Sequence, residues 1–120
     1  MADWHSTLLE SELTLTGIHP TQAGKTPVIL MRVKDEVVAF RDACPHEGYP
    51  LSRVGERDGD VLICTKHLWE FDGCSGRHVS RLERPDCNLV RFPVRVQTGR
   101  IEVDTDVNAP EVRRPVGVAI

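Results

Sequence analysis

The order of apolar and polar positions along this chain predicts strands rather than helices. Leu13-Thr14-Leu15-Thr16 alternates with the two-residue period of a half-buried strand. Pro27 to Val33 and Glu36 to Phe40 are short apolar or β-branched runs, and Lys34-Asp35 between them suits a tight hairpin turn. Val61-Leu62-Ile63 reads as a short buried strand. Leu89 to Val96 alternates well, and Gly99 to Asp104 follows a turn at Thr98-Gly99. No segment keeps a helical apolar stripe over three turns. The expected class is therefore all-β, built from short strands at turn-bounded spacing.

Between the early hairpin and the last one lies a long insert, about Cys44 to Asp86. It holds Gly48, Pro50, Gly55, Gly59, Gly73, Gly76 and Pro85. A segment so rich in turn residues inside a compact domain is usually functional. The expected organisation is one domain over 1–106 with an insert over 44–86. Residues 107–120, with Pro110 and Pro115, read as a tail. The sequence shows no internal repeat.

Length and composition agree with a single ordinary domain: 120 residues, 40% hydrophobic and 28% charged. A formal net charge of -3 leaves no basic surplus for a phosphate backbone, so no nucleic-acid partner is expected. The longest apolar run, Val28 to Met31, is far too short to cross a bilayer, and no membrane partner is expected. Asp3, His5 and Glu10 near the N-terminus do not fit a signal peptide. These features place the chain in the cytoplasm; a monomer is expected, though nothing in the residues fixes the oligomeric state. In that reducing compartment the four cysteines are not expected to form a disulfide framework, and metal binding is the better reading for some of them.

The insert carries the chemistry. Cys44-Pro45-His46 is followed by 17 residues and then by Cys64-Thr65-Lys66-His67. Two thiols and two imidazoles in two short loops form a metal donor set. If both thiolates take one iron, both imidazoles can take a neighbouring iron, which is the arrangement of a Rieske [2Fe–2S] centre. Two ferric ions, two sulfides and two thiolates sum to zero charge, so an electron is accepted more readily than by a four-cysteine cluster. Pro45 stiffens the first loop, while glycines at 48, 73 and 76 are expected to let backbone N–H groups approach the sulfides. A structural zinc site also accepts two Cys and two His. Zinc spacing, however, normally pairs Cys with Cys and His with His.

Cys44-Pro45-His46 and Cys64-Thr65-Lys66-His67-Leu68-Trp69, then Phe71-Asp72-Gly73 and Pro85-Asp86-Cys87, resemble the Rieske ferredoxins of bacterial multicomponent monooxygenases. These are the toluene and alkene systems, isoprene-type included. The resemblance spans about Leu13 to Asp104. It implies a Rieske iron–sulfur fold of three small antiparallel sheets, with a two-loop cluster-binding subdomain at one tip. It implies one [2Fe–2S] cluster held by Cys44, His46, Cys64 and His67. It also implies a carrier, not an enzyme, that moves electrons from an NADH-dependent flavin/iron–sulfur reductase to a diiron hydroxylase. The respiratory branch has an extra cysteine in each ligand loop, joined as a disulfide. Gly48-Tyr49, Thr65-Lys66 and Leu68-Trp69 offer no such bond here, and the Ser and Tyr positions of that branch after His67 are not filled, which implies the soluble, lower-potential type.

Three other readings stay open at this level. One is the ferredoxin of an aromatic ring-hydroxylating dioxygenase. A second is a Rieske oxygenase subunit missing its catalytic domain, and a third is a metal-stabilised binding module without electron transfer. Glu47, Gly48, Pro50, Leu68 and Trp69 flank the ligands and are the expected partner face. Trp69 fits equally a core residue or a partner contact. Lys66, Glu47 and Arg77 are expected as solvated charges, Cys74 and Cys87 as small buried or semi-exposed residues, and His5, His19 and His78 as surface residues.

Overall fold

The computed structural model describes residues 2–45, 47–66, 68–80 and 88–106. His46, His67, 81–87 and 107–120 lie outside that set. So do the expectations placed on them, including the Pro85-Asp86-Cys87 segment and the tail. Along the described residues run β1 (Trp4–Leu9), a 3₁₀ turn (Glu10–Glu12), β2 (His19–Ala23), β3 (Thr26–Val33), β4 (Glu36–Arg41) and α1 (Leu51–Val54). Then come β5 (Gly55–Asp58), β6 (Val61–Cys64), β7 (Trp69–Asp72), β8 (Arg91–Phe92), β9 (Val94–Gln97) and β10 (Arg100–Asp104).

Three antiparallel sheets result, in the orders β1-β10-β9, β2-β3-β4-β8 and β5-β6-β7. The fold is nearly all-β, as the apolar pattern requires. The hairpin of β3 and β4 turns at Lys34-Asp35, where both residues take positive φ (52° and 67°). Two successive left-handed residues match the twist of a two-residue hairpin. Thr98-Gly99 does the same between β9 and β10.

The continuous apolar run Val28 to Met31 has a plain cause. β3 is an interior strand, flanked by β2 and β4. Its even positions, Val28 and Leu30, pack with Leu13, Ala23, Ala39, Phe92, Ile101 and Val103. Its odd positions, Ile29, Met31 and Val33, pack with Val38, Phe40, Leu51, Leu62, Phe71 and Leu89. A strand buried on both faces cannot alternate. The second of these clusters also contains Cys44 and Cys64, so the core extends directly under the ligand loops.

Several expectations are corrected. Leu13 to Thr16 is no strand: Leu13 is buried, but Leu15 is 73% exposed in an irregular connection. Leu89 to Val96 is not one strand either. Pro93 cannot donate to a ladder, and the chain changes sheets there. β8 pairs with β4 while β9 pairs with β10. The mostly polar β2 and β5 give little apolar signal, and β1 is only partly buried.

The β5-β6-β7 sheet is bolted to the rest by Arg57 on β5. Its guanidinium donates to Gly17 O (3.1 Å) and Arg32 O (3.0 Å). His19 sits in the same corner, with the Thr14 amide donating to its Nε2 at 3.0 Å. Burial pushes the His19 imidazole below its ordinary value, and the Arg57 charge pushes the same way. The neutral ring is therefore the folded form. Its contribution is present above the unfolded value of about 6.5 and is lost as pH falls through the lowered folded value. Thermal midpoints measured at pH 7 and pH 5 should drop on acidification. His19→Gln should shrink that drop, and an unchanged drop would remove His19 as a cause.

Candidate metal centre

The first ligand loop leaves β4 and is folded back on itself before α1. The Cys44 amide donates to Tyr49 O (2.8 Å), and the Gly48 amide donates to Cys44 O (2.7 Å). Gly48 takes φ 78°, a conformation that costs glycine little and other residues more. Asp42 anchors the return of the chain. Its carboxylate accepts from the Ser52 amide (2.8 Å) and the Ser52 hydroxyl (2.6 Å) at the start of α1.

The second loop is the β6–β7 hairpin connection. Cys64 is the last residue of β6 and pairs with Trp69, the first of β7. Thr65 ties the loop to the end of α1: its amide and hydroxyl both donate to Val54 O, at 3.1 and 2.6 Å. The two loops also meet where Lys66 Nζ lies 5.3 Å from the Tyr49 ring centroid. Short α1, with Leu51 fully buried as its anchor, thus sets the two loops side by side.

Cys44 and Cys64 are both buried and belong to one apolar cluster. Two thiols at the edge of a dry core, one from each of two abutting loops, suit a soft metal centre. A hydrophobic shell of this kind limits water access and tunes redox potential. His46 and His67 follow them by two and three positions in sequence. The donor set fits a [2Fe–2S] cluster of the mixed-ligand type.

The amides of Gly48, Gly73 and Gly76 donate to Cys44 O, Asp60 O and Asp72 O, each at 2.7 Å. Their own N–H groups are therefore part of the loop framework. Gly76 is fixed by its φ of 82° and by Phe40, whose ring carbon would lie 2.8 Å from an added Cβ.

His78 is the main residue that pattern reading misplaced. It is 2% exposed, with its ring edge-on to Trp69 (4.6 Å between centroids) and to Phe71 (5.5 Å). A signal existed: the alternation Trp69, Phe71 on β7 needs an apolar cover. Residues 77–79 supply it by running back along that strand. His5 and His19 are half-buried rather than surface residues, and Cys74 is half-buried as expected. Within the expected partner face, Glu47, Gly48 and Leu68 are exposed while Pro50 and Trp69 are half-buried. Lys66 is exposed but lies on Tyr49 rather than standing clear in solvent.

The Rieske [2Fe–2S] domain family matches residues 3–98. This chain belongs to the Rieske family. Such a domain carries one Rieske-type cluster, in keeping with the donor set just described. Among its relatives, 4beta-methylsterol monooxygenase of Methylococcus capsulatus is 39% identical over 75 residues. That match covers 55% of this chain and 20% of that protein, so the chain spans a fifth of that relative's length. The anthranilate 1,2-dioxygenase ferredoxin subunit of Burkholderia cepacia is 28% identical over 109 residues, covering 87% of this chain and 94% of that subunit. A solved structure, the complex of reduced oxygenase and oxidised ferredoxin in carbazole 1,9a-dioxygenase, contains a chain 30% identical with a TM-score of 0.72. It is matched over 84% of this chain and 92% of that one. Both of these ferredoxin matches are components of dioxygenase systems, and neither is a component of a diiron monooxygenase. Among the described residues no helix is long and apolar enough to cross a membrane.

Proposed function

We propose that this Rieske chain is the ferredoxin of an aromatic ring-hydroxylating dioxygenase system, working in the cytoplasm. It takes single electrons from an NADH-dependent reductase and gives them to a terminal oxygenase. It performs no substrate chemistry itself. One observation carries the reading: similarity runs over 94% of the length of a dioxygenase ferredoxin subunit, whereas the long oxygenase relatives are matched over about a fifth.

In this reading Cys44 and Cys64 hold one iron, and His46 and His67 hold the other. The cluster supplies a one-electron couple. The chain's own residues keep it dry and stiff. Leu51, Leu62 and Phe71 pack in the same cluster as both cysteines, and the Asp42–Ser52 and Thr65–Val54 bonds limit loop movement. Glu47, Gly48, Pro50, Leu68 and Trp69 form the docking tip. Leu68 supports this most strongly: it is a large apolar side chain, 70% exposed, one position beyond His67. The contact should be small and transient, with tip charges governing association rate.

Mixing the dithionite-reduced protein with an oxidised Rieske-type dioxygenase, and separately with a diiron hydroxylase, tests the assignment. Rapid reoxidation by the first and slow reoxidation by the second is the expected result. The reverse order would restore the monooxygenase reading.

A further inference from the structure

The two candidate ligand loops leave different sheets, the first after β4 and the second after β6. At their bases they are joined through α1, by way of Thr65 and Val54. They also meet through Tyr49 and Lys66, with the ammonium 5.3 Å from the ring centroid. Both residues are coupled tightly to a cysteine. The Tyr49 carbonyl accepts the Cys44 amide at 2.8 Å, and Lys66 lies two positions beyond Cys64 in a hairpin connection whose first residue is pinned to Val54. A line of contacts therefore runs from one cysteine to the other without passing through the metal site.

We propose that Tyr49 and Lys66 form a noncovalent latch that holds the two ligand loops shut and sets how fast the cluster is lost. The inference rests on Cys44 and Cys64 being ligands. A cation over an exposed aromatic face stabilises the closed arrangement modestly. Cluster loss requires a local opening that exposes the irons, and such openings are drawn from the weakly held parts of a fold. Removing the latch should raise the open fraction about two- to fivefold, the factor that an exposed cation–π contact converts to. Tyr49 and Lys66 are positioning residues, since they act through the loops. Both side chains are exposed, so the fold should survive their replacement.

The test uses the cluster-loaded full chain in excess iron chelator and follows the decay of visible absorbance. Lys66→Met and Tyr49→Leu should each speed decay about two- to fivefold, and the double variant should be no faster than the faster single one. Lys66→Arg, which keeps a cation for the ring, should stay within about twofold of the native rate. Far-UV melting midpoints should stay at the native value in all four. Multiplicative rates in the double variant would overturn the latch, as would an arginine variant as fast as the methionine one. Decay that tracks a falling melting midpoint would overturn it too. A native protein with no Rieske absorbance would overturn the ligand assignment beneath it. That outcome is distinct from a latch failure, in which the spectrum is present and the rates do not move.

Discussion

Cys64→Ser should give a protein without a bound cluster: no visible absorbance, and iron affinity reduced by more than about 100-fold. Loss of a second-layer partner alone costs up to about that much. The serine hydroxyl is a poor substitute for a soft thiolate. Position 64 is fully buried at the end of β6, where no other side chain of the loop can replace it without breaking the Cys64–Trp69 register. Metal binding in such sites is coupled to folding, so the variant should also melt at lower temperature. His67→Cys should behave differently. If it retains a cluster, its spectrum should move toward the four-cysteine type. Iron analysis and visible spectroscopy on the two variants check both statements. A coloured, iron-replete Cys64→Ser protein would remove Cys64 from the ligand set.

Trp69→Ala should cost about 3 kcal/mol of folding stability, the lower end of the range for truncating a large core aromatic, because Trp69 is only half-buried. Its ring lies edge-on to buried His78, and it packs against the cluster of apolar residues that includes Cys44 and Cys64. These packing contacts set the stability cost and leave the exposed half of Trp69 at the edge of the proposed docking tip. Thermal unfolding should show a midpoint lowered by roughly 10–20 °C, with faster loss of colour. Leu68→Ala, one residue earlier but 70% exposed, should change stability by less than about 0.5 kcal/mol. It should instead slow electron delivery to the oxygenase. Equal stability losses in the two variants would contradict this division of roles.

How much could be read beforehand follows from the physics of each segment. The β3–β4 hairpin was legible because β3 is buried on both faces and leaves an unbroken apolar run. Cys44, His46, Cys64 and His67 stood out because metal chemistry demands particular residue types at short spacing, whatever the fold. β2 and β5 were not legible. Their residues are mostly polar and their strand form is set by the neighbours they pair with, not by their own pattern. The split at Pro93 illustrates a second limit: alternation tells which face a residue takes, not which sheet it joins. His78 illustrates a third. The histidine itself carries no sign of burial; the one signal is the Trp69-Phe71 alternation, and the return of residues 77–79 along β7 supplies its cover.

The central claim is one iron held by Cys44 and Cys64 and a second held by His46 and His67. Mössbauer spectroscopy of protein reconstituted with enriched iron tests it most directly. Two inequivalent iron sites in equal amounts, with the added electron localised on the imidazole-ligated one after reduction, are the expected result. Two equivalent all-thiolate irons, or a colourless zinc-loaded protein with no iron, would contradict it.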